Sequence, residues 1–136
     1  MIVGFTGTPR GMTAAQKQSL RRELAKVAVT EGHHGDCIGA DAEFHELLRE
    51  LYPRAVVVIH PPENDAKRAF CRGDVVKPEL PYLVRNKAIV EVCEVLFACP
   101  GTKHEMLRSG TWATIRRAKK AERGLVLVYP DGTLSA

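Results

Sequence analysis

Four short segments combine glycines with hydroxyl, basic or acidic side chains, a mixture that is typical of loops that bind anions. They lie at residues 7–11 (GTPRG), 34–41 (HGDCIGAD), 85–87 (RNK) and 109–111 (SGT). Glycine lets the backbone approach a ligand closely, and arginine offers a planar fork of donors to a phosphate. Free N–H groups at a helix start attract the same anions. Together the segments predict a site for a phosphate-bearing small molecule.

The first two segments carry the most specific expectations. The first has neither the Gly-x-Gly-x-x-Gly fingerprint nor a Walker sequence, so it identifies no particular cofactor, although Arg10 is placed to reach a phosphate. In the second, Gly35 and Gly39 allow backbone amides to approach a ligand, and Asp36 is placed to accept hydrogen bonds from ribose hydroxyls. Asp41 is better explained as the cap of the following helix.

The other two segments each open a predicted helix. Arg85 and Lys87 are unfavourable near the positive end of a helix unless an anion lies between them, although a water-exposed basic turn is the alternative. The hydroxyls of Ser109 and Thr111 and the neighbouring amides are placed to hold a phosphate. Both segments therefore favour the same anionic ligand.

Potential metal ligands also gather around the second segment. They are His33, His34, Asp36, Cys37 and His45. Their spacing matches no standard metal site, and adjacent histidines on a strand point to opposite faces of a sheet. Cys37 has no assigned base partner that would make it a nucleophile. We therefore expect neither a metal nor another cofactor.

Apolar, β-branched segments alternate with amphipathic ones along the chain. The pattern predicts strands at residues 2–6, 33–37, 55–59, 95–99 and 125–129. It predicts helices from residue 14 to a point before 32, between 41 and 53, and over 83–93 and 112–123. A capping box formed by Thr13 and Gln16 marks the start of the first helix.

This alternation predicts one Rossmann-like α/β domain over residues 1–136, with a mainly parallel sheet flanked by helices on both faces. Ligands of such sheets bind beyond the carboxyl ends of the strands, where the four segments fall. Residues 60–79 are polar and contain prolines, so they form either a surface loop or a lid over the site.

Composition limits the class of protein. The 136 residues are 45% hydrophobic and 26% charged, which is typical of one packed domain. No apolar stretch approaches the ~18 residues of a membrane-spanning helix, and the N-terminal residues lack the pattern of an export signal. Four cysteines without a Cys-x-x-Cys pair suit a reducing compartment, so we expect a cytoplasmic protein. A net charge of +4 favours anionic partners without naming one.

Taken in order, four blocks resemble the SLOG superfamily, which joins the DNA-processing protein A domain with the LOG nucleotide phosphoribohydrolases. The blocks are residues 4–10 (GFTGTPR), 34–41 (HGDCIGAD), 85–87 (RNK) and 109–114 (SGTWAT), the last followed by Ala118. The resemblance therefore covers almost the whole chain, and the small YspA/cpYpsA-related proteins are the most similar branch. It implies one pocket for a nucleotide-like ligand and, commonly, a homodimer. The expected ligand-binding residues are Gly7, Thr8, Arg10, Gly35, Asp36, Gly39, Arg85, Asn86, Ser109, Gly110 and Thr111.

The LOG enzymes place a catalytic glutamate in a Pro-Gly-Gly-x-Gly-Thr-x-x-Glu segment. Residues 100–105 (PGTKHE) keep Gly-Thr-x-x-Glu but lack the glycine pair, which makes Glu105 the candidate catalytic carboxylate. The 109–111 segment fits the DNA-processing pattern better, and it puts Ala113 and Thr114 where an acid would be needed. We therefore expect binding of a nucleotide or nucleotide-derived signal. The first alternative is hydrolysis of the N-glycosidic bond of a nucleoside monophosphate, and the second is single-stranded DNA binding, which a 6% aromatic content disfavours.

Overall fold

Strands and helices alternate through residues 1–135, which are the residues that the computed structural model describes. The strands are β1 (Ile2–Gly7), β2 (Glu31–His34), β3 (Val56–Ile59), β4 (Val75–Val76), β5 (Val95–Cys99) and β6 (Gly124–Leu127). The α-helices are α1 (Ala14–Leu24), α2 (Ala40–Leu51), α3 (Tyr82–Val92) and α4 (Gly110–Lys120), and Asp65–Lys67 forms one turn of 3₁₀ helix. Among these residues, no helix combines the length and apolar character needed to cross a membrane.

The strands form one parallel sheet in the order β4-β3-β2-β1-β5-β6. The sheet therefore first extends from β1 on one side, through β2 and β3. Later in the chain it extends from β1 on the other side, through β5 and β6. Loops that follow β1 and β5 diverge to opposite faces at this switch point and leave a crevice between them. The predicted Rossmann-like α/β fold is confirmed.

Helices cover both faces of the sheet, as predicted. Successive residues of β5 point to opposite faces: Phe97 joins the core under α1 and α2, whereas Leu96 joins the core under α3 and α4. On the first face the rings of Phe5 and Phe44 stack with their centroids 4.5 Å apart. On the second face Leu96 packs in one cluster with Ile89 of α3 and with α4.

The helix starts show one confirmed and one wrong prediction. Thr13 caps α1 by accepting a 3.0 Å hydrogen bond from the Gln16 N–H, and the Gln16 side chain accepts one from the Thr13 N–H at 3.1 Å. Asp41 does not cap α2, because the N-cap position belongs to Gly39, which has a φ of 106°. The Asp41 carboxylate instead accepts a hydrogen bond from the Cys37 N–H at 3.1 Å. The helix therefore begins two residues earlier than it would with Asp41 as its cap.

Two strand predictions also needed correction. Strand β2 runs over Glu31–His34 rather than 33–37, because β1 and β3 pair with it from residue 31 onward. It ends at His34 because Asp36 has a φ of 53° and donates its N–H back to His34 Nδ1. The 60–79 segment, predicted to be a surface loop with little regular structure or a lid, contains the 3₁₀ turn and the two-residue strand β4, which pairs with β3.

Candidate functional site

A cavity of about 920 Å³ opens at the carboxyl ends of β1, β2 and β5. The loops after β1 and β2 form one side, and the N-terminal turns of α3 and α4 form the other. Residues 62–67 close a further side, and backbone hydrogen bonds fix this segment to the β2 loop, including Ile38 N–H to the Lys67 carbonyl at 2.9 Å. The cavity thus lies at the switch point of the sheet, where such folds bind ligands.

The cavity brings together most of the residues that the sequence predicted as ligand contacts. Its walls include Gly7, Thr8, Arg10, Gly35, Arg85, Asn86, Ser109, Gly110 and Thr111. Residues from four separate segments of the chain therefore meet at one place. Asp36, Gly39 and Glu105 are not among the lining residues.

Arg85 is a buried cation whose guanidinium is only partly hydrogen-bonded. It is 6% exposed and lines the cavity from the first turn of α3. Its Nη1 donates to the Gly35 carbonyl at 2.9 Å and to the His60 carbonyl at 3.4 Å. Its Nε is buried with no hydrogen-bond partner, and among the residues described Nη2 has none either. Since a buried, unsatisfied charged donor is costly, an anionic ligand would relieve the penalty.

Gly35 gives Arg85 the space that it occupies. A Cβ placed on Gly35 would collide with Arg85 Nη1 and lie 3.0 Å from Asp41 Oδ2. The absence of a side chain therefore lets a guanidinium and a carboxylate approach the same point of the backbone. The sequence predicted that Gly35 lets a ligand approach the backbone closely. In the structure Gly35 makes room for the cationic side chain of Arg85.

The N-terminus of α4 forms a second polar surface of the cavity. Ser109 caps the helix by accepting a 3.2 Å hydrogen bond from the Trp112 N–H. The amides of Gly110 and Thr111 are left without a protein acceptor within residues 1–135, and they face the same cavity. A Cβ on Gly110 would collide with the Tyr82 hydroxyl, so this glycine keeps the ring of Tyr82 close to the helix start. Amides in this arrangement bind anions.

Cations outnumber acids around the mouth of the cavity. Arg10, Lys67 and Arg108 line it, are exposed, and have no ion-pair partner in the part of the chain that is described. Glu63 is the exposed acid on the same rim. The rim therefore attracts anions towards Arg85 and the α4 amides.

Asp36 has a structural position rather than the expected ligand contact. It is fully buried, and its two carboxylate oxygens accept hydrogen bonds from Arg68 Nε at 2.8 Å and from the Cys71 N–H at 2.9 Å. Both oxygens are therefore occupied by the segment that follows the 3₁₀ turn. Gly39 also lies outside the cavity, and a Cβ there would collide with the Pro9 carbonyl. Both residues hold the binding loops against each other.

Glu105 points away from the cavity. Its side chain is exposed, and Oε2 forms a 2.8 Å ion pair with Arg116 Nη1 on the outer side of α4. Glu105, the candidate carboxylate of the hydrolase alternative, is therefore not among the residues that line the cavity.

Asp41 is a cavity residue that the sequence pattern assigned only to helix capping. It is 7% exposed and lines the cavity beside Gly35. Burial raises the pKa of Asp41 to about 6, and the hydrogen bond from the Cys37 N–H and the charge of Arg85 oppose that shift only in part. An acid at the start of a helix often caps it, so the local sequence offered no signal that this carboxylate would line the cavity.

His34, His45 and Cys71 form a cluster of possible metal ligands, with all three ligand atoms within 4.8 Å of one another. The hydrogen bonds oppose coordination. His34 Nδ1 accepts from the Asp36 N–H at 2.9 Å, so the ring proton is on Nε2, which lies 3.0 Å from His45 Nδ1. A metal could bind Nε2 only if Nε2 lost its proton. The ring would then carry no proton, because Nδ1 is already a hydrogen-bond acceptor. The arrangement is that of two neutral, hydrogen-bonded histidines, and burial lowers the pKa of His34 to about 3.

Comparison with known proteins identifies the fold. No family model and no curated protein matches the chain. The molybdenum cofactor binding protein from the phototrophic bacterium Rippkaea orientalis is similar to it, with a TM-score of 0.69 and 17% identity over 94% of this chain and 76% of that one. The Northeast Structural Genomics Consortium target TM1055 is similar with a TM-score of 0.63 and 20% identity over 91% of this chain and 71% of that one. At these identities the likeness shows a shared fold and no more.

Proposed function

We propose that this protein binds a nucleotide or a nucleotide-derived small molecule in the cavity at the switch point, as a cytoplasmic sensor or sequestering protein. The observation that carries the proposal is the unsatisfied guanidinium of Arg85. A buried cation whose Nε has no hydrogen-bond partner, in a cavity that also presents helix amides without a protein acceptor, has its requirements met by an anionic ligand. We also propose membership of the SLOG superfamily, which the shared Rossmann-like fold of the two solved structures supports.

In this proposal the phosphate lies between Arg85 and the amides of Gly110 and Thr111. The exposed Arg10 and Arg108 assist from the rim. The cavity volume of about 920 Å³ is within the usual range for small-molecule sites and leaves space for a sugar and a base besides the phosphate. The molybdenum cofactor bound by the protein from Rippkaea orientalis is one further ligand to test.

The hydrolase alternative is weaker, because Glu105 is paired with Arg116 outside the cavity. The DNA-binding alternative is weaker because the cavity is a closed-sided crevice with few aromatic side chains, Phe5 and Tyr82, on its walls. Strand binding by stacking needs successive exposed aromatic rings along an open groove.

Native mass spectrometry separates these ligand classes. The protein is mixed in turn with AMP, ADP-ribose, NAD, cyclic ADP-ribose and a short DNA strand, and both retained mass and released products are recorded. The proposal predicts one intact nucleotide ligand for each chain. Free base with ribose phosphate would indicate the hydrolase, and retention of the DNA strand alone would indicate the second alternative.

We further propose that two copies of the chain associate, as the resemblance implies. Residues 82–84 and 106–107 include five exposed, largely apolar side chains; Tyr82 and Met106 among them line the cavity, and Leu107 is 87% exposed. Exposed apolar groups of this size favour an interface. Light scattering should give the mass of two chains, and Leu107→Lys should reduce it to one. A single-chain mass for the unaltered protein would contradict the pairing.

A further inference from the structure

We propose that the inner end of the cavity is a ribose subsite in which Asp41 accepts hydrogen bonds from sugar hydroxyl groups. The inference rests on the proposed function and extends it, because it names the chemical class of the ligand. Asp41 is 7% exposed and lines the cavity from the first turn of α2. Its Oδ2 accepts the Cys37 N–H at 3.1 Å, and the Cys37 thiol is a further donor to the carboxylate. Within residues 1–135, Asp41 is not among the buried groups left without a partner, so the acceptor capacity that Cys37 does not use is open to the cavity and to a ligand.

The neighbouring contacts show why this donor is a hydroxyl. Asp41 and Arg85 both lie against Gly35, yet the two described side chains form no direct ion pair, because Arg85 Nη1 is held by the carbonyls of Gly35 and His60. Each charged group therefore has capacity left for a ligand. An anion alone would satisfy Arg85 but would repel Asp41 at the same end of the cavity. A ligand that presents an anionic group and hydroxyl groups satisfies both.

A phosphorylated ribose carries these two groups on one compact unit. Its phosphate fits the region between Arg85 and the α4 amides, and its diol fits Asp41. Asn86 lies one residue beyond Arg85 on α3, is 8% exposed and lines the cavity, and its side-chain amide has no partner among the residues described. The amide is available to the same sugar as both a donor and an acceptor. Ribonucleotides are thus favoured over deoxyribonucleotides and over inorganic phosphates.

The protonation of Asp41 provides an independent signature. The titratable and charged groups that face its carboxylate are Arg85, the Cys37 thiol and Asp36. Burial is the largest influence on the pKa of Asp41, which it raises to about 6, and burial also raises the pKa of the Cys37 thiol, so that the thiol stays neutral. Above this pH the carboxylate is ionised and is the stronger acceptor for two hydroxyls.

The test compares AMP with 2′,3′-dideoxy-AMP, which keeps the phosphate and base but lacks the diol, by calorimetric titration. The unaltered protein should bind AMP about 10-fold to 100-fold more tightly than the dideoxy ligand, the range expected for hydrogen bonds to a charged group. Asp41→Asn should remove most of that preference while its binding of dideoxy-AMP remains. Asparagine retains an oxygen for the Cys37 N–H, so the fold is preserved.

Glu63→Gln is the matched control, because it removes one negative charge from the exposed rim of the same cavity. This variant should keep the preference for AMP. In the unaltered protein the preference should also fall as the pH drops through about 6, whereas it should be flat in Asp41→Asn. Ionisation of the phosphate cancels, since both ligands carry the same phosphate.

Three outcomes would count against the proposals, and they distinguish the ribose subsite from nucleotide binding itself. Equal binding of both ligands by the unaltered protein would leave the nucleotide proposal standing and refute the ribose subsite. Equal weakening of both ligands by Asp41→Asn would assign Asp41 to cavity shape and also refute it. Binding of neither ligand would refute the nucleotide proposal itself.

Discussion

The carbonyl oxygen of Gly35 accepts a 2.9 Å hydrogen bond from Arg85 Nη1 across the end of the sheet. Gly35 directly follows β2, and Arg85 lies on α3, 50 positions later in the sequence. The contact is close enough that a Cβ on Gly35 would collide with the guanidinium. The position of the Arg85 guanidinium therefore depends on the absence of a side chain at Gly35.

Substitution of Gly35 tests this dependence. Gly35→Ala should displace the Arg85 guanidinium and weaken AMP binding by about 10-fold or more, while the crowding lowers the free energy of unfolding by about 1–3 kcal/mol. Calorimetric titration and denaturant unfolding measure the two effects.

Gly32→Ala is the control for that variant. Its Cβ would collide with Leu48 Cδ2 in the core, and Gly32 is not among the residues that line the cavity. We expect a loss of stability but AMP binding within about twofold of the unaltered protein. Equal AMP affinity for Gly35→Ala and the unaltered protein would show that the Arg85 position does not matter.

Glu105→Gln should leave ligand binding and any turnover unchanged, because the Glu105 carboxylate pairs with Arg116 outside the cavity. The exposed ion pair contributes little to stability, so thermal unfolding should also be nearly unaffected. Incubation with nucleoside monophosphates, followed by chromatography of the products, provides the measurement. A loss of turnover specific to this variant would restore Glu105 as a catalytic residue.

Acid should destabilise the protein as the pH falls from about 6.5 towards 4. Burial lowers the pKa of His34 to about 3 and that of His60 to about 4, so in this interval the unfolded chain binds protons that the folded chain does not. Asp41, whose pKa is raised to about 6, acts in the opposite direction and offsets part of the loss. Since two histidines oppose one aspartate, the net free energy of unfolding declines.

Denaturant unfolding at a series of pH values measures that slope. His34→Gln should flatten it, whatever its effect on stability at neutral pH, because the largest pKa difference is removed. His104→Gln, which alters an exposed histidine, should keep the full slope. A slope unchanged by His34→Gln would contradict the assignment of His34 as a buried neutral base.

Much of the fold was predictable because its signals are local. Apolar periodicity located α2, α3 and α4 to within a few residues, and the Thr13 and Gln16 capping box located the start of α1, although α1 ends at Leu24, well before the predicted limit of residue 32. The alternation of strands and helices then required a parallel sheet covered on both faces, and the loops at its carboxyl edge contained nine of the predicted ligand contacts.

The features that the sequence did not predict depend on contacts between distant residues. Asp36 is held by Arg68, which is 32 positions away, and Glu105 is held by Arg116 across the α4 N-terminus, so neither partner was visible in the local pattern. Aspartate is a residue type that often caps helices, but the N-cap of α2 is Gly39, which has a positive φ and lies two residues before Asp41. The short β4 exists because β3 offers an unpaired edge.

The most direct measurement of the central claim is calorimetric titration of AMP into the unaltered protein, Arg85→Met and Arg117→Met. Arg117 is exposed on α4 outside the cavity, so its variant controls for the loss of one positive charge. Arg85→Met should still fold, because methionine fills a similar volume and removes a buried charge, although the Gly35 and His60 carbonyls lose their donor at a cost of about 1–3 kcal/mol. We predict one AMP for each chain in the unaltered protein and in Arg117→Met, and binding at least 10-fold weaker in Arg85→Met. Binding by Arg85→Met that equals that of the unaltered protein would contradict the account.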